Sequence, residues 1–152
     1  MAKRYRFRLQ SVLDLRIEEL NRVQQRAATE ELKRVQILQR IQAADDMISQ
    51  GFKEQERILN STAGIDFNTV QQFPHYLMRL RQTRWIETTT LQNQERVLLQ
   101  VREELKQAMI RKKALETLKE KDMLRHRLAI EKAEEENLAE IALMRRHSTV
   151  KR

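Results

Sequence analysis

Residues that break helices are confined to one short stretch of this 152-residue chain. The chain has two glycines and one proline, namely Gly51, Gly64 and Pro74. Inside a helix, glycine costs about 1 kcal/mol and proline about 3 kcal/mol relative to alanine. Because dozens of residues on either side contain neither, the sequence predicts two very long helices joined by a turn near residues 60–66.

Apolar residues before this turn recur every three or four positions, which is the spacing of one face of a helix. An average step of about 3.5 is typical of a left-handed coiled coil. A phase slip at Ala27-Ala28 predicts a stutter that locally relaxes the supercoil. The stripe comprises Leu9, Leu13, Ile17, Leu20, Val23 and Ala27, then Leu32, Val35, Leu38, Ile41, Ile48, Phe52 and Leu59.

A second stripe follows the turn and predicts the second helix. Gly64 can supply a positive φ in the loop, and Asp66 is a candidate N-cap for the free amides of the helix. Pro74 predicts a kink or a split soon afterwards. The stripe comprises Leu77, Leu80, Leu91, Leu98, Val101, Leu105, Ala108, Leu115, Leu118, Leu124, Leu128, Leu138 and Ala142, interrupted by polar Glu87, Gln94, Lys112 and Asp122. Polar residues in such a seam weaken the pairing.

These patterns predict an all-α fold: a long antiparallel two-helix coiled-coil hairpin forming a single domain over residues 1–152. We place the first arm at about residues 9–59, the loop at 60–66, the second arm at 67–146 and a basic tail at 147–152. Because the second arm is longer, we expect its last thirty or so residues, roughly 45 Å of helix, to overhang the first.

Composition argues against a catalytic protein. Charged residues make up 34% of the chain and aromatic residues 5%, which is typical of a coiled coil. Two paired helices enclose little interior, whereas most catalytic strategies need a deep, dry pocket. His75, His126 and His147 are far apart in sequence, and no pair has metal-ligand spacing. We therefore expect no enzyme, no metal and no cofactor.

The net charge of +8 suggests an acidic partner, although a solvated basic surface would have the same composition. One alternative is a nucleic-acid-binding coiled coil, because residues 102–127 are rich in Lys and Arg. Acidic residues interleave there and no aromatic residue follows Trp85, so stacking on bases is not favoured. A further alternative is a structural scaffold that self-associates through its weak seam.

Most aromatic residues lie in or just beyond the stretch that holds the turn, namely Phe52, Phe67, Phe73, Tyr76 and Trp85. Four residues spaced by 4, 3 and 4 positions share one helical face: Phe73, Leu77, Leu80 and Arg84. Ile48 and Phe52 extend the apolar surface from the first arm. This end is either an aromatic plug that closes the hairpin or a partly exposed surface that docks a partner.

Basic and apolar residues alternate over residues 4–9, which predicts a short extended arm entering a helix. The run FRLQSVLDLR at residues 7–16 resembles the opening of the flagellar export protein FliJ family. The segment KALETLKEK at residues 113–121 is similar to that family's basic, leucine-bearing segment. Gln71-Gln72-Phe73, with Leu77 and Leu80, resembles the start of its second helix.

The resemblance implies a non-enzymatic component of the flagellar type III export apparatus. The alternative is the counterpart of that protein in an injectisome, and the N-terminal motif favours the flagellar one. It implies a cytoplasmic location, peripheral to the inner membrane, and a fold similar to the stalk subunit of rotary ATPases. The end bearing both termini would enter the hexameric export ATPase. The hairpin region would dock on the cytoplasmic domain of the export gate membrane protein, and export chaperones would bind and cycle. No small-molecule substrate and no nucleic acid are expected.

Two sets of contact residues follow from the resemblance. We assign the ATPase contact to Arg6, Arg8 and Arg16. The export-gate contact is assigned to Phe73, Leu77, Leu80, Arg84, Ile48 and Phe52.

Overall fold

Two long helices make up the computed structural model, which describes residues 4–61, 64 and 66–150. Helix α1 is Gln10–Leu59, of 50 residues, and α2 is Phe67–Val150, of 84 residues. The described part of the chain contains no strand, so the predicted all-α fold is confirmed. Parts of the predicted loop and of the predicted basic tail, like residues 1–3, lie outside the described residues.

The chain divides into two compact units, and each contains a segment of both helices. The first unit combines the residues up to Asn21 with those from Lys106 onward, and the second unit is Arg22–Leu105. The single domain and its arm boundaries stay predictions. Helix α2 continues to Val150, so residues 147–150 of the predicted tail are helical.

In the first unit the two helices run antiparallel. Lys119 Nζ donates a hydrogen bond to Gln10 Oε1 at 2.7 Å, and Arg111 NH1 pairs with Glu19 Oε1 at 2.9 Å. A step forward along α1 is thus matched by a step back along α2. Residues 131–150 of α2 are exposed along their whole length. The predicted overhang of this segment stays a prediction.

The second unit has the same antiparallel pairing. Arg26 NH1 pairs with Glu104 at 2.7 Å, and Arg40 Nε pairs with Glu87 at 3.0 Å. Between the helices lies an apolar core in which the Val101 side chain is completely buried. Pairing of such exposed charges stabilises a fold by only about 0–1 kcal/mol each, so burial of the apolar seam is the larger contribution.

The buried face of α1 in this unit keeps one heptad register, and the predicted stutter is wrong. Ile37 and Ala44, seven residues apart, are 4% and 5% exposed. Arg34 and Ile41 are half-buried, continuing in steps of seven from Ala27. Five residues predicted in this stripe are exposed: Leu32, Val35, Leu38, Phe52 and Leu59.

A polar layer explains how this register is kept. The seam position that follows Val23 by seven residues is Glu30, which is half-buried. Gln94 Nε2 donates to the Glu30 backbone carbonyl at 2.9 Å and to its carboxylate at 2.6 Å. Polar partners across a seam specify register at some loss of stability. The hydrogen bonds therefore allow Glu30 to occupy a seam position without a shift of phase.

The seam of α2 follows the prediction as far as Leu115. Leu98, Val101 and Ala108 are buried, and the predicted polar positions Glu87, Gln94, Lys112 and Asp122 are half-buried. Beyond this point the predicted apolar positions are wrong, because the same register brings Lys119 and His126, with the predicted polar Asp122, to the half-buried positions. The predicted stripe residues Leu118, Leu124, Leu128, Leu138 and Ala142 are exposed.

The beginning of α2 confirms one prediction and corrects two. Asp66 is the N-cap: its Oδ1 accepts from the Asn68 amide at 3.1 Å and its Oδ2 from the Thr69 hydroxyl at 3.1 Å. Helix α2 continues through Pro74, so the predicted split is wrong. The cap before Pro74 and buried side chains after it hold the helix although proline removes one amide donor. Gly64 does not adopt a positive φ.

Candidate functional site

The surface assigned to the export gate is centred on Leu77, and this side chain is 6% exposed. Its Cδ2 atom lies 2.9 Å from the position that a Cβ on Gly51 would occupy. Gly51 is itself buried inside α1, eight residues before the helix ends. Gly51 therefore lies before the turn, inside the first arm predicted at about residues 9–59. Its missing side chain makes room for Leu77.

The other assigned residues differ in their accessibility. Phe73, Leu80 and Ile48 are half-buried, whereas Phe52 is 44% exposed and Arg84 is exposed. A partner could therefore contact Phe52 and Arg84 directly, and Leu77 supports the surface from beneath. The docking role of the set stays a prediction.

Two contacts across the helices hold this surface in place. Arg84 Nε forms an ion pair with Asp45 Oδ1. The guanidinium carbon of Arg81 lies 5.5 Å from the centroid of the Phe52 ring, a cation–π arrangement. Sequence reasoning missed Asp45 and Arg81, although an antiparallel register anchored at Gly51 would have placed both opposite the assigned residues.

The aromatic residues at this end do not form a closed plug. Phe67 and Trp85 are each 70% exposed, Tyr76 is 39% exposed and Phe52 is 44% exposed. A plug would remove these rings from water, because each buries a large apolar area. The exposed rings instead favour the interpretation of a surface that contacts a partner.

The N-terminal arm forms the second candidate site, and it lies in the first unit. Residues 4–7 are not helical and precede the turn that leads into α1, and the predicted extended conformation stays a prediction. The Tyr5 hydroxyl donates to Asp122 Oδ2 at 3.0 Å, and Phe7 is 7% exposed. Arg6 and Arg8 alternate with these anchors and are exposed. The arm thus presents two arginines from a fixed backbone.

Arg16, the third residue assigned to the ATPase, has a structural partner. Its NH1 pairs with Glu19 Oε2 at 2.9 Å, while Arg111 pairs with the other oxygen of Glu19. The hydrogen bond from Arg16, with the charges of Arg111 and Arg16, holds the pKa of the Glu19 carboxyl below its usual value. Arg16 therefore pairs within α1 with the carboxylate that Arg111 contacts across the helices, and its contact with a partner stays a prediction.

Three cations in the segment considered for nucleic-acid binding, residues 102–127, form ion pairs with carboxylates. Arg111 pairs with Glu19 at 2.9 Å, and Lys112 lies 3.4 Å from Glu116. Arg102 lies 3.7 Å from Glu31. These contacts weaken the case for a phosphate-binding surface, because a nucleic acid would have to displace them.

Neither a metal-binding group nor a membrane-spanning helix is found in the described ranges. Within them, no group of three His, Asp or Glu side chains could hold a metal ion. Neither described helix contains a segment that is long and apolar enough to cross a membrane.

Comparison with known proteins gives one match. The family model described as "Flagellar FliJ protein" matches residues 5–150, nearly the whole chain. The match includes the N-terminal arm and both helices. No curated protein matches the chain. No solved structure matches it either.

Proposed function

The chain belongs to the flagellar FliJ family, and on that premise we propose that it couples the hexameric export ATPase to the export gate and helps export chaperones cycle. Proteins of this family are non-enzymatic components of the flagellar export apparatus, and they act in flagellum biogenesis and protein export. The proposed location is cytoplasmic, peripheral to the inner membrane. The observation that carries the proposal is the family match over residues 5–150.

The geometry around Gly51 supports the gate contact. Phe52 is an exposed aromatic ring under the guanidinium of Arg81, and Arg84 is an exposed cation paired with Asp45. Aromatic and arginine side chains supply much of the binding energy in protein interfaces. Leu77, buried against Gly51, gives this surface a rigid base. The half-buried Phe73, Leu80 and Ile48 complete the proposed contact.

The N-terminal arm supports the ATPase contact. Tyr5 and Phe7 anchor the arm, so Arg6 and Arg8 need little further ordering when a partner binds. Arg16 contributes indirectly: it pairs with Glu19 of its own helix, and the other oxygen of Glu19 pairs with Arg111 of α2. Exposed arginines raise association rates with an acidic partner surface.

A binding measurement with the cytoplasmic domain of the export gate protein tests the gate contact. Replacing Phe52→Ala together with Arg84→Ala removes both accessible groups and leaves Leu77 in place. We expect affinity to fall by at least about tenfold, as for truncation of interface hot spots. Circular dichroism should show unchanged helicity, because exposed ion pairs contribute little to stability.

Leu38→Ala together with Arg96→Ala is the matched control, since both residues are exposed in the same unit outside this surface. The control should bind like wild type. Equal binding by the Phe52 and Arg84 variant would overturn the assignment of the gate contact.

Self-association is the second candidate function, and exposed apolar side chains near the end of α2 favour it. Leu128 and Leu138 are 53% and 66% exposed, and Met144 is 69% exposed. Such residues could be covered by a second copy of the chain. Sedimentation equilibrium distinguishes the two functions. A monomer that stimulates the ATPase supports the coupling role, whereas a stable oligomer without that effect supports a scaffold.

A further inference from the structure

An open groove of about 780 Å³ lies in the second unit, and none of the accessible gate-contact residues line it. Phe52 and Arg84 are absent from its lining, and Phe73 is the one residue of the assigned set that it includes. The groove is thus a separate surface at the same end of the helices. It goes beyond the gate and ATPase contacts proposed above.

The floor of the groove is apolar because Gly51, Met47, Phe73 and Tyr76 are among its lining residues. Gly51 has no side chain, and Met47 and Tyr76 flank it with 49% and 39% exposure. Phe73 extends the floor along α2. Exposed methionine and tyrosine adapt to a partner's shape while burying substantial apolar area. The floor is suited to the apolar face of another protein segment.

The rim of the groove is positively charged. Among the lining residues Lys53, Arg57 and Arg79 are cationic, and Glu54 is the single carboxylate. Arg57 Nε donates to Glu54 Oε2 at 3.0 Å, and this hydrogen bond from Arg57 lowers the pKa of the Glu54 carboxyl. The pair is therefore neutral overall.

Lys53 and Arg79 are the other two cations of the rim, and both are exposed. Moreover, residues 67–86 of α2 contain no Asp or Glu. The part of α2 that lies nearest the groove therefore supplies no carboxylate to neutralise Lys53 or Arg79.

We propose that this groove binds an acidic amphipathic helix of a partner protein. Two antiparallel helices with a depression between them match the groove that a third helix needs, with anchors at intervals of three and four residues. The apolar floor receives the anchors, and Lys53 and Arg79 meet acidic residues beside them. A concave groove of this kind accepts an inserted side chain of a protein. A flat lipid bilayer would contact only the edges of the groove.

Binding of two synthetic peptides to the full chain tests the proposal. Both are about 20 residues long, which permits helix formation, and carry leucine at positions i, i+3, i+4 and i+7. One has glutamate at the remaining positions and the other has lysine. By fluorescence anisotropy, we expect the acidic peptide to bind at least about tenfold more tightly and its affinity to fall as salt rises. Equal binding of both peptides would overturn the proposal.

Variants of the chain locate the site. Lys53→Glu with Arg79→Glu, and separately Tyr76→Ala, should each weaken binding of the acidic peptide by at least about fivefold with helicity unchanged. Arg96→Glu with Arg22→Glu changes the charge equally outside the groove and should leave affinity within about twofold. If the control weakens binding as much as the rim variant does, general charge attraction explains binding and the groove does not.

Two further measurements separate this site from other surfaces. Vesicles with anionic lipid should not compete with the acidic peptide, and competition would show a lipid surface instead. Binding to the gate domain should survive Lys53→Glu with Arg79→Glu, because those residues are outside the proposed gate contact. Loss of gate binding in that variant would show that the groove belongs to the gate contact and overturn its separate role.

Discussion

At the scale of single residues, the partner across the helix pair decides what a side chain does. Glycine in a helix interior costs about 1 kcal/mol relative to alanine, yet Gly51 lies inside α1. The reason is the close approach of Leu77 Cδ2, at 2.9 Å from the position of an added Cβ. Nothing in the local sequence reveals that approach, because Leu77 is brought there by the antiparallel register.

Substitutions at Gly51 should separate these two effects. Gly51→Ala gains about 1 kcal/mol of helix propensity but crowds Leu77, and overpacking costs about 1–3 kcal/mol. We expect a net change in the free energy of unfolding within about 1 kcal/mol, because the clashing atom is the end of a flexible side chain. Gly51→Val should destabilise the protein by roughly 2 kcal/mol or more. Urea unfolding followed by circular dichroism measures both.

Leu77→Ala is the complementary change. It removes a buried leucine, which costs about 2–5 kcal/mol, and it opens space for a side chain at position 51. The double variant with Gly51→Val should therefore be less destabilised than the sum of the two single variants. Additive effects would show that Gly51 and Leu77 do not share this packing site.

At the scale of elements, hydrophobic periodicity predicted the two helices but not the full register of their seams. The helices could be predicted because breakers are confined and apolar residues recur over dozens of positions. The phase of the α1 seam after Ala27 could not be predicted, since Leu32, Val35 and Leu38 form a plausible stripe of their own. The structure buries Ile37 instead, because Gln94 on the other helix satisfies Glu30 in the seam.

The same distinction applies to the candidate sites. Their approximate position followed from where the breakers and aromatic residues cluster. The contacts between the helices could not be predicted in this way, because the pairing of Asp45 with Arg84 and of Arg81 with Phe52 depends on the register of the two helices. Tyr76 and Met47 were not assigned, because the groove that they line forms only when the two helices pair.

The polar layer predicts a specific response to acid. Hydrogen bonds from Gln94, then from Lys33, lower the pKa of the Glu30 carboxyl. A carboxyl whose pKa is lower in the folded state stabilises the fold above its unfolded pKa of about 4.3. That contribution is lost as pH falls through the folded value. Glu30→Gln, which can still accept from Gln94, should therefore reduce the loss of stability between about pH 5 and pH 3.

Urea unfolding at a series of pH values measures this response. Glu95→Gln, at an exposed position of α2, is the matched control and should retain the acid sensitivity of wild type. An identical pH profile for wild type and Glu30→Gln would show that the Glu30 and Gln94 layer is not maintained in solution.

At the scale of the whole molecule, charge is divided between helix pairing and surfaces left for partners. The chain carries a net charge of +8. Several carboxylates are used within the fold, since Glu19, Glu87 and Glu104 each accept from an arginine on the opposite helix. The positive excess is therefore concentrated on exposed residues such as Arg6, Arg8 and Arg79. Exposed positive charge of this kind attracts acidic surfaces.

The N-terminal arm provides the last test, because it separates a specific contact from attraction to net charge. Arg6→Glu with Arg8→Glu should weaken binding to the export ATPase by at least about tenfold, mainly through slower association. Tyr5 and Phe7 remain, so the arm should stay in place and helicity should not change. Arg79→Glu with Arg96→Glu changes the net charge by the same amount elsewhere. Surface plasmon resonance at several salt concentrations should show a much smaller effect for that pair. If both double variants slow association equally, the ATPase responds to total charge, and Arg6 and Arg8 have no specific role.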